Sequence, residues 1–155
     1  MRRKDKEITD QKLLEEILST SILCRIAMVD NGIPYMVPLN YGYFNNALYI
    51  HSASKGKKIE ILKNNNHVCF EIENSVEILK HDEPCHWSTK YRSLIGYGTV
   101  DIINDFEKKK EGLDIIMKQN GKTDNNIYNE NNVNAIVILK LNINSISGKQ
   151  SGNWE

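Results

Sequence analysis

The sequence predicts an α+β or mainly-β domain, a barrel-like antiparallel sheet with helices outside it. Three observations carry this. About six segments read as strands and about three as helices. Consecutive strands follow one another through short turns, two of them with strong turn chemistry: Asp30-Asn31-Gly32 and Asn45-Asn46. Most neighbouring strands have no helix between them, which a doubly wound parallel sheet requires.

In chain order, residues 1–8 form a charged arm that can be extended. Thr9 or Asp10 can cap a helix running to about residue 19, with Leu13, Leu14, Ile17 and Leu18 on one face and Lys12, Glu15 and Glu16 on the other. Residues 21–29 are mostly apolar and read as a strand with Arg25 in its middle. The strand after the Asn-Gly turn covers residues 33–44. Pro34 and Pro38 lie inside it, so it is not a fully paired central strand throughout. Residues 47–51 make another strand, followed by a basic turn and a helix with Ile59 and Leu62 on one side, ended by Asn64-Asn65-Asn66. A long strand covers 67–79, a polar loop 80–89 and a strand 91–101, where Gly96 and Gly98 suggest a bulge. Residues 106–120 read as a helix presenting Leu113, Ile116 and Met117, and 121–132 as a polar loop. In the last strand, 135–146, the apolar face runs through Ile136 and Ile138, then Leu141 and Ile143, with a register break near Lys140. Residues 147–155 are the tail. With 155 residues, no internal repeat and no linker, the expectation is one domain over 1–155.

Charge and composition exclude several functions. Lys+Arg and Asp+Glu are both 20, so no global positive field exists to hold a nucleic acid. No apolar run approaches the ~20 residues of a membrane span. The charged N-terminus has no apolar segment behind it, so it does not read as a signal peptide. Cys24, Cys69 and Cys85 have no paired spacing and fit a reducing cytoplasm. Cys24 and Cys69 lie in apolar strand patterns, where cysteine acts as a small hydrophobe. His81, Cys85 and His86 match no standard zinc spacing, and no metal is expected there. Walker, Rossmann and G-x-S-x-G signatures are absent.

The richest chemistry lies at His51 to Lys58, H-S-A-S-K-G-K-K, between a strand and a helix. Free N–H groups, the positive end of a helix dipole and mobile ammonium groups are the parts of an anion site, and a phosphate is the natural guest. The competing reading is a solvated basic turn.

Several blocks, in order, carry a family resemblance: M-R-R-K-D-K-E-I at 1–8, C-R-I-A at 24–27, P-Y-M-V-P-L-N-Y-G-Y at 34–43, L-Y-I-H-S-A-S-K-G-K-K at 48–58, V-C-F-E-I at 68–72, W-S-T-K-Y-R-S-L-I-G-Y-G at 87–98 and I-S-G-K at 146–149. Together they resemble the FMN-binding split-barrel proteins related to pyridoxamine 5′-phosphate oxidase, and within them the nitroimidazole-resistance (NimA-like) group. Two departures stand out. Lys57 sits where the family often has arginine, losing the two-pronged grip on phosphate. Asn65-Asn66 replaces an Asn-Pro helix end.

The resemblance implies a six-stranded antiparallel split β-barrel with peripheral helices, and a cytoplasmic homodimer holding FMN at the subunit interface. It implies that Ser52, Ser54, Lys57 and Lys58 anchor the FMN phosphate. Val37, Pro38, Leu39, Asn40 and Tyr41 would run along the flavin ring, and His51 would face it as the one candidate catalytic residue. Trp87, Tyr91 and Ser93 would reach the cofactor region, from the same or the second subunit; Lys149, with Trp154 in the tail, would close over it. For each of these a packing role is the competing reading. The implied activity is an FMN-dependent oxidoreductase acting on nitroimidazoles or other flat nitro compounds. The alternatives are a non-catalytic flavin, haem or F420 binding module and, third, a pyridoxamine-phosphate-type oxidase, which needs cations for a second phosphate. Neither a nucleic acid nor a membrane is an implied partner.

Overall fold

Alternating apolar residues assemble eight strands into one antiparallel sheet. In this computed structural model, which describes residues 3–122 and 124–154, the sheet order is β3-β2-β6-β7-β8-β5-β4, with β1 paired to β8. Met1, Arg2 and Glu155, the ends of the predicted arm and tail, lie outside the described residues, as does Thr123. The strands are β1 (Glu7–Ile8), β2 (Leu23–Asp30), β3 (Ile33–Asn40), β4 (Gly42–Phe44), β5 (Ala47–Ala53), β6 (His67–Leu79), β7 (Ser88–Ile103) and β8 (Ile136–Ser151). The helices are α1 (Gln11–Thr20), α2 (Lys57–Asn64), α3 (Phe106–Gln119) and α4 (Glu130–Ala135). The sheet is a split barrel, not closed: β3 and β4 end it on opposite sides.

Most elements follow from local chemistry. Asp10 caps α1 by accepting the Lys12 N–H at 2.9 Å, and α1 buries Leu14, Ile17 and Leu18. Asn31 and Gly32 turn β2 into β3 with positive φ, and Asn45 and Asn46 turn β4 into β5 in the same way. The core gathers Tyr41, Phe70, Ile17, Leu18, Met28, Leu48, Ile50, Ile72, Leu94 and Leu141, all under 2% exposed.

Several expectations are corrected. Among the described residues there are eight strands rather than six, because β1 and β4 are too short to show a pattern. The single strand expected over 33–44 divides at Tyr41, one half pairing with β2 and the other with β5. Lys4–Lys6 forms a 3-10 turn instead of extended arm. Residues 130–135 are helical, overriding the end of the expected loop at 132 and the start of the expected strand at 135, with Asn129 capping them through Asn131 and Asn132. In α3 the buried residues are Lys109, Gly112 and Ile116; Leu113 and Met117 are only half-buried. Gly112 is there because α3 lies flat on β8: a Cβ would sit 2.9 Å from the Ile138 side chain. That cover also moves the irregularity in β8. Val137, Leu139, Leu141 and Ile143 alternate inward without a break, while Ile138 is buried on the other face. The register shift is opposite Tyr97 and Gly98, not at Lys140.

Candidate functional site

β5 carries Leu48, Ile50 and Ser52 inward, and alternation turns His51 and Ala53 outward. β4 pairs with β5 only as far as Tyr49, so the backbone edge of the last residues of β5 has no strand on that side. The outer edge of β3 is also unpaired in the sheet. Pro34 and Pro38 lie in β3, where a missing N–H is tolerated. β3 also lies against β5, so two strand edges with free polar groups face the mouth of the split barrel.

α2 starts at that mouth. Gly56 is its N-cap at φ 118°, ψ 173°, a conformation essentially reserved for glycine, and no side chain caps the helix. The Ile59 and Glu60 N–H groups both return to the Gly56 carbonyl, at 2.9 and 3.1 Å. The Lys57 and Lys58 N–H groups precede them and point out of the helix start. Lys58 is half-buried, and burial pushes its pKa down. Among the described residues its ammonium has no ion-pair partner within 4 Å. A desolvated cation beside free N–H donors fits an anion.

The other predicted anchors differ. Lys57 is exposed, with Nζ 3.6 Å from Asp30 Oδ2 and 4.9 Å above the Tyr35 ring. Ser52 is 6% exposed and its hydroxyl donates to the Ala53 carbonyl, so it faces the core. Ser54 and His51 are exposed. Along β3, Val37 and Leu39 pack on the core, while Pro38 and Asn40 are exposed; Asn40 Nδ2 donates to the Ile22 carbonyl. Tyr41 is a core residue: fully buried, its hydroxyl donates to the Leu18 carbonyl at 2.7 Å, its carbonyl accepts from Asn120, and burial pushes its pKa up. The Tyr41 side chain therefore cannot lie along a ligand in the mouth.

Trp87, Tyr91, Ser93 and Lys149 form a second group. Trp87 is half exposed at the end of the β6–β7 arm, with Nε1 donating to the His81 carbonyl. Ser93 pairs with Lys149, whose Nζ lies 5.6 Å over the Tyr91 ring. Trp154 does not reach the helix start; it stacks under Arg92 at 4.0 Å and Lys90 at 4.5 Å. His51 is level with Ile138 and, through it, with Ile103. From Ile103 back to Ser93 is roughly 30 Å along β7 at ~3.3 Å per residue. One protomer therefore does not bring the two groups together.

A feature not read from the sequence is the outer face of β3, β2, β6 and β7. Val29, Met36, Ile95 and Tyr97 are 45–59% exposed there, beside a groove of 460 Å³ lined by Ala27, Pro34, Cys69 and Tyr97. On the same face Arg25 Nη1 bridges Glu71 at 2.9 Å and Glu73 at 3.0 Å. The signal was the unbroken apolar run I-A-M-V in β2, apolar on both faces.

Among the described residues, no helix is long and apolar enough to cross a membrane. The sequence matches the family described as pyridoxamine 5′-phosphate oxidase over residues 10–150. No curated protein matches it. Among solved structures, it is similar to a Bacteroides thetaiotaomicron protein described as a candidate 5-nitroimidazole antibiotic resistance protein, at 33% identity and TM-score 0.82, covering 93% of this chain and 86% of that one. An FAD and heme binding protein of Mycobacterium smegmatis has TM-score 0.84 at 23% identity, over 96% of this chain and 75% of that one. A flavocytochrome of Azotobacter vinelandii also has TM-score 0.84, at 19% identity, over 99% and 72%. At those two identities the likeness is one of fold.

Proposed function

The chain belongs to the pyridoxamine 5′-phosphate oxidase family, and from that premise we propose that it is an FMN-binding oxidoreductase that reduces nitroimidazoles or other flat nitro compounds. The observation that carries the reading is the start of α2: a helix N-terminus with no side-chain cap, a positive-φ glycine and a half-buried Lys58 that has no ion-pair partner among the described residues, at the mouth of the split barrel. A phosphate monoester there satisfies the N–H donors and returns a counter-charge to Lys58. Ser54 is exposed beside it and can donate its hydroxyl; Lys57 can swing from Asp30, since an exposed ion pair holds it weakly. The free edges of β3 and β5 offer backbone donors and acceptors to the polar rim of a flat ring system. When bound, the flavin supplies the electron-transfer chemistry. His51 is the one residue assigned to proton donation toward the substrate. The nitro-compound substrate class rests on likeness to the candidate resistance protein.

The reading includes a cytoplasmic homodimer. Val29, Met36, Ile95 and Tyr97 offer an apolar face of the kind that a second copy covers. The separation of Trp87, Tyr91, Ser93 and Lys149 from α2 favours their delivery to the partner's site rather than to their own.

A second reading, a flavin-binding module without turnover, is favoured by one observation. Among the described residues no hydrogen bond orients the His51 ring, whereas a working acid is usually held by a neighbour. The third reading, a pyridoxamine-phosphate-type oxidase, loses a cation because Arg25 is committed to Glu71 and Glu73.

Purification and anaerobic mixing separate these. The protein is expected to turn yellow with FMN and, once reduced, to be reoxidised by a nitroimidazole. A colourless protein that takes up no FMN defeats the proposal; a yellow protein inert to the nitro compound leaves the binding module.

A further inference from the structure

The tip of the β6–β7 arm carries a group of side chains that flavin binding does not use. Pro84–His86 forms a 3-10 turn with Glu83 at its N-cap. Such a turn repeats every three residues, so Glu83 and His86 stand on one side. Glu83 Oε2 lies 3.2 Å from His86 Nδ1. Cys85 joins them: one ligand atom from each of Glu83, Cys85 and His86 lies within 4.8 Å of the others.

We propose that Glu83, Cys85 and His86 bind a thiophilic divalent cation, zinc fitting best, with a fourth position open to water. Carboxylate, thiolate and imidazole are all zinc donors, and two anionic ligands with one neutral ring balance a double positive charge. Bonds of about 2.0–2.3 Å in a tetrahedron place ligand atoms about 3.3–3.8 Å apart. The present ligand-atom spacing, within 4.8 Å, is at most about 1 Å beyond the upper end of that range. The turn is already braced without consuming these atoms. The His86 N–H donates to the Glu83 carbonyl at 3.0 Å, and Trp87 Nε1 donates to the His81 carbonyl at 2.7 Å. The Glu83 N–H donates to His81 Nδ1 at 3.0 Å, which makes His81 a brace and not a ligand. The His81 and His86 rings meet edge to face at 4.8 Å. Without a cation the arrangement gains little, because water screens an exposed carboxylate–imidazole pair. The sequence alone suggested no metal here because it offered His81 as a ligand at an unfamiliar spacing; the structure replaces His81 with Glu83.

The test uses untagged full-length protein and cobalt(II) as the probe. The expected result is a thiolate-to-cobalt charge-transfer band that zinc displaces, one metal per chain. Cys85→Ser is expected to abolish the band. His86→Ala and Glu83→Gln should each weaken zinc binding at least ~10-fold. Cys69→Ser should leave it unchanged. All four positions are clear of the buried core, and circular dichroism checks that the variants fold. Absence of the band, its persistence in Cys85→Ser, or zinc affinity indifferent to His86→Ala and Glu83→Gln overturns the proposal. FMN binding is not the readout, so the flavin reading stands or falls separately.

Discussion

At the start of α3, Asp105 accepts the Lys108 N–H at 3.0 Å; at the start of α2, Gly56 has no side chain to offer. α1 and α4 follow the first pattern, through Asp10 and Asn129. Both helix starts carry lysines, but in α3 it is Lys109 that serves the fold. Lys109 is 4% exposed and donates to the Ile136 carbonyl just beyond the end of α4, where a cation is favourable. Lys58 is half-buried and, among the described residues, has no such acceptor. The difference teaches that a basic helix start is an anion site only where the chain has left its own donors and cations unsatisfied.

That contrast can be broken by mutation. The largest effect is expected at Lys58: Lys58→Ala should cost about 2 kcal/mol of FMN affinity, the scale of a charge-assisted bond. Lys57→Ala should cost less, since Lys57 is exposed and shared with Asp30 and Tyr35. Equilibrium titration of flavin fluorescence measures both, and equal losses would contradict the assigned roles. Next, Gly56→Ala is expected to lower stability by ~1–3 kcal/mol through backbone strain, while Asp105→Ala should cost about 1 kcal/mol of stability through the lost cap and leave FMN affinity unchanged. Urea unfolding with a parallel FMN titration tests both.

The smallest effect is in pH. Burial holds the Lys58 pKa below its unfolded value. Between the two values the unfolded chain binds more protons, so the stability of the flavin-free protein should rise modestly as pH climbs through that window. FMN affinity should fall over the same window, because Lys58 loses the charge that faces the phosphate. Lys58→Arg should carry that fall to higher pH. Titrations at several alkaline pH values check the opposite signs.

Much of the frame was legible because it depends on neighbours in sequence. Asp30-Asn31-Gly32, the prolines of β3 and the Asp10 cap each state their conformation locally. Tyr41 was harder: it continues an apolar strand pattern, and only the distant Leu18 carbonyl reveals that the chain has turned inward. The face of α3 was misread because Lys109 and Gly112 do not look like core until Ile138 lies beneath them. In the candidate site the order Ser-Lys-Gly-Lys-Lys was visible, but the hold of Asp30 and Tyr35 on Lys57 is a tertiary fact. So is the inward direction of Ser52. Glu83, in the proposed metal cluster, was missed for the same reason: its nearness to Cys85 and His86 shows only once a 3-10 turn puts them side by side.

β8 has a consequence for how the protein is made. It is the strand that joins the β3-β2-β6-β7 half of the sheet to the β5-β4 half, and it also receives β1, through Glu7 opposite Lys149. A ribosome delivers β8 after every other strand. Until then β5 and β7 wait with bare edges, and β1 has nothing to dock on. Assembly of this sheet is therefore governed by long-range closure, and a growing chain is most exposed to aggregation before residue 136 emerges.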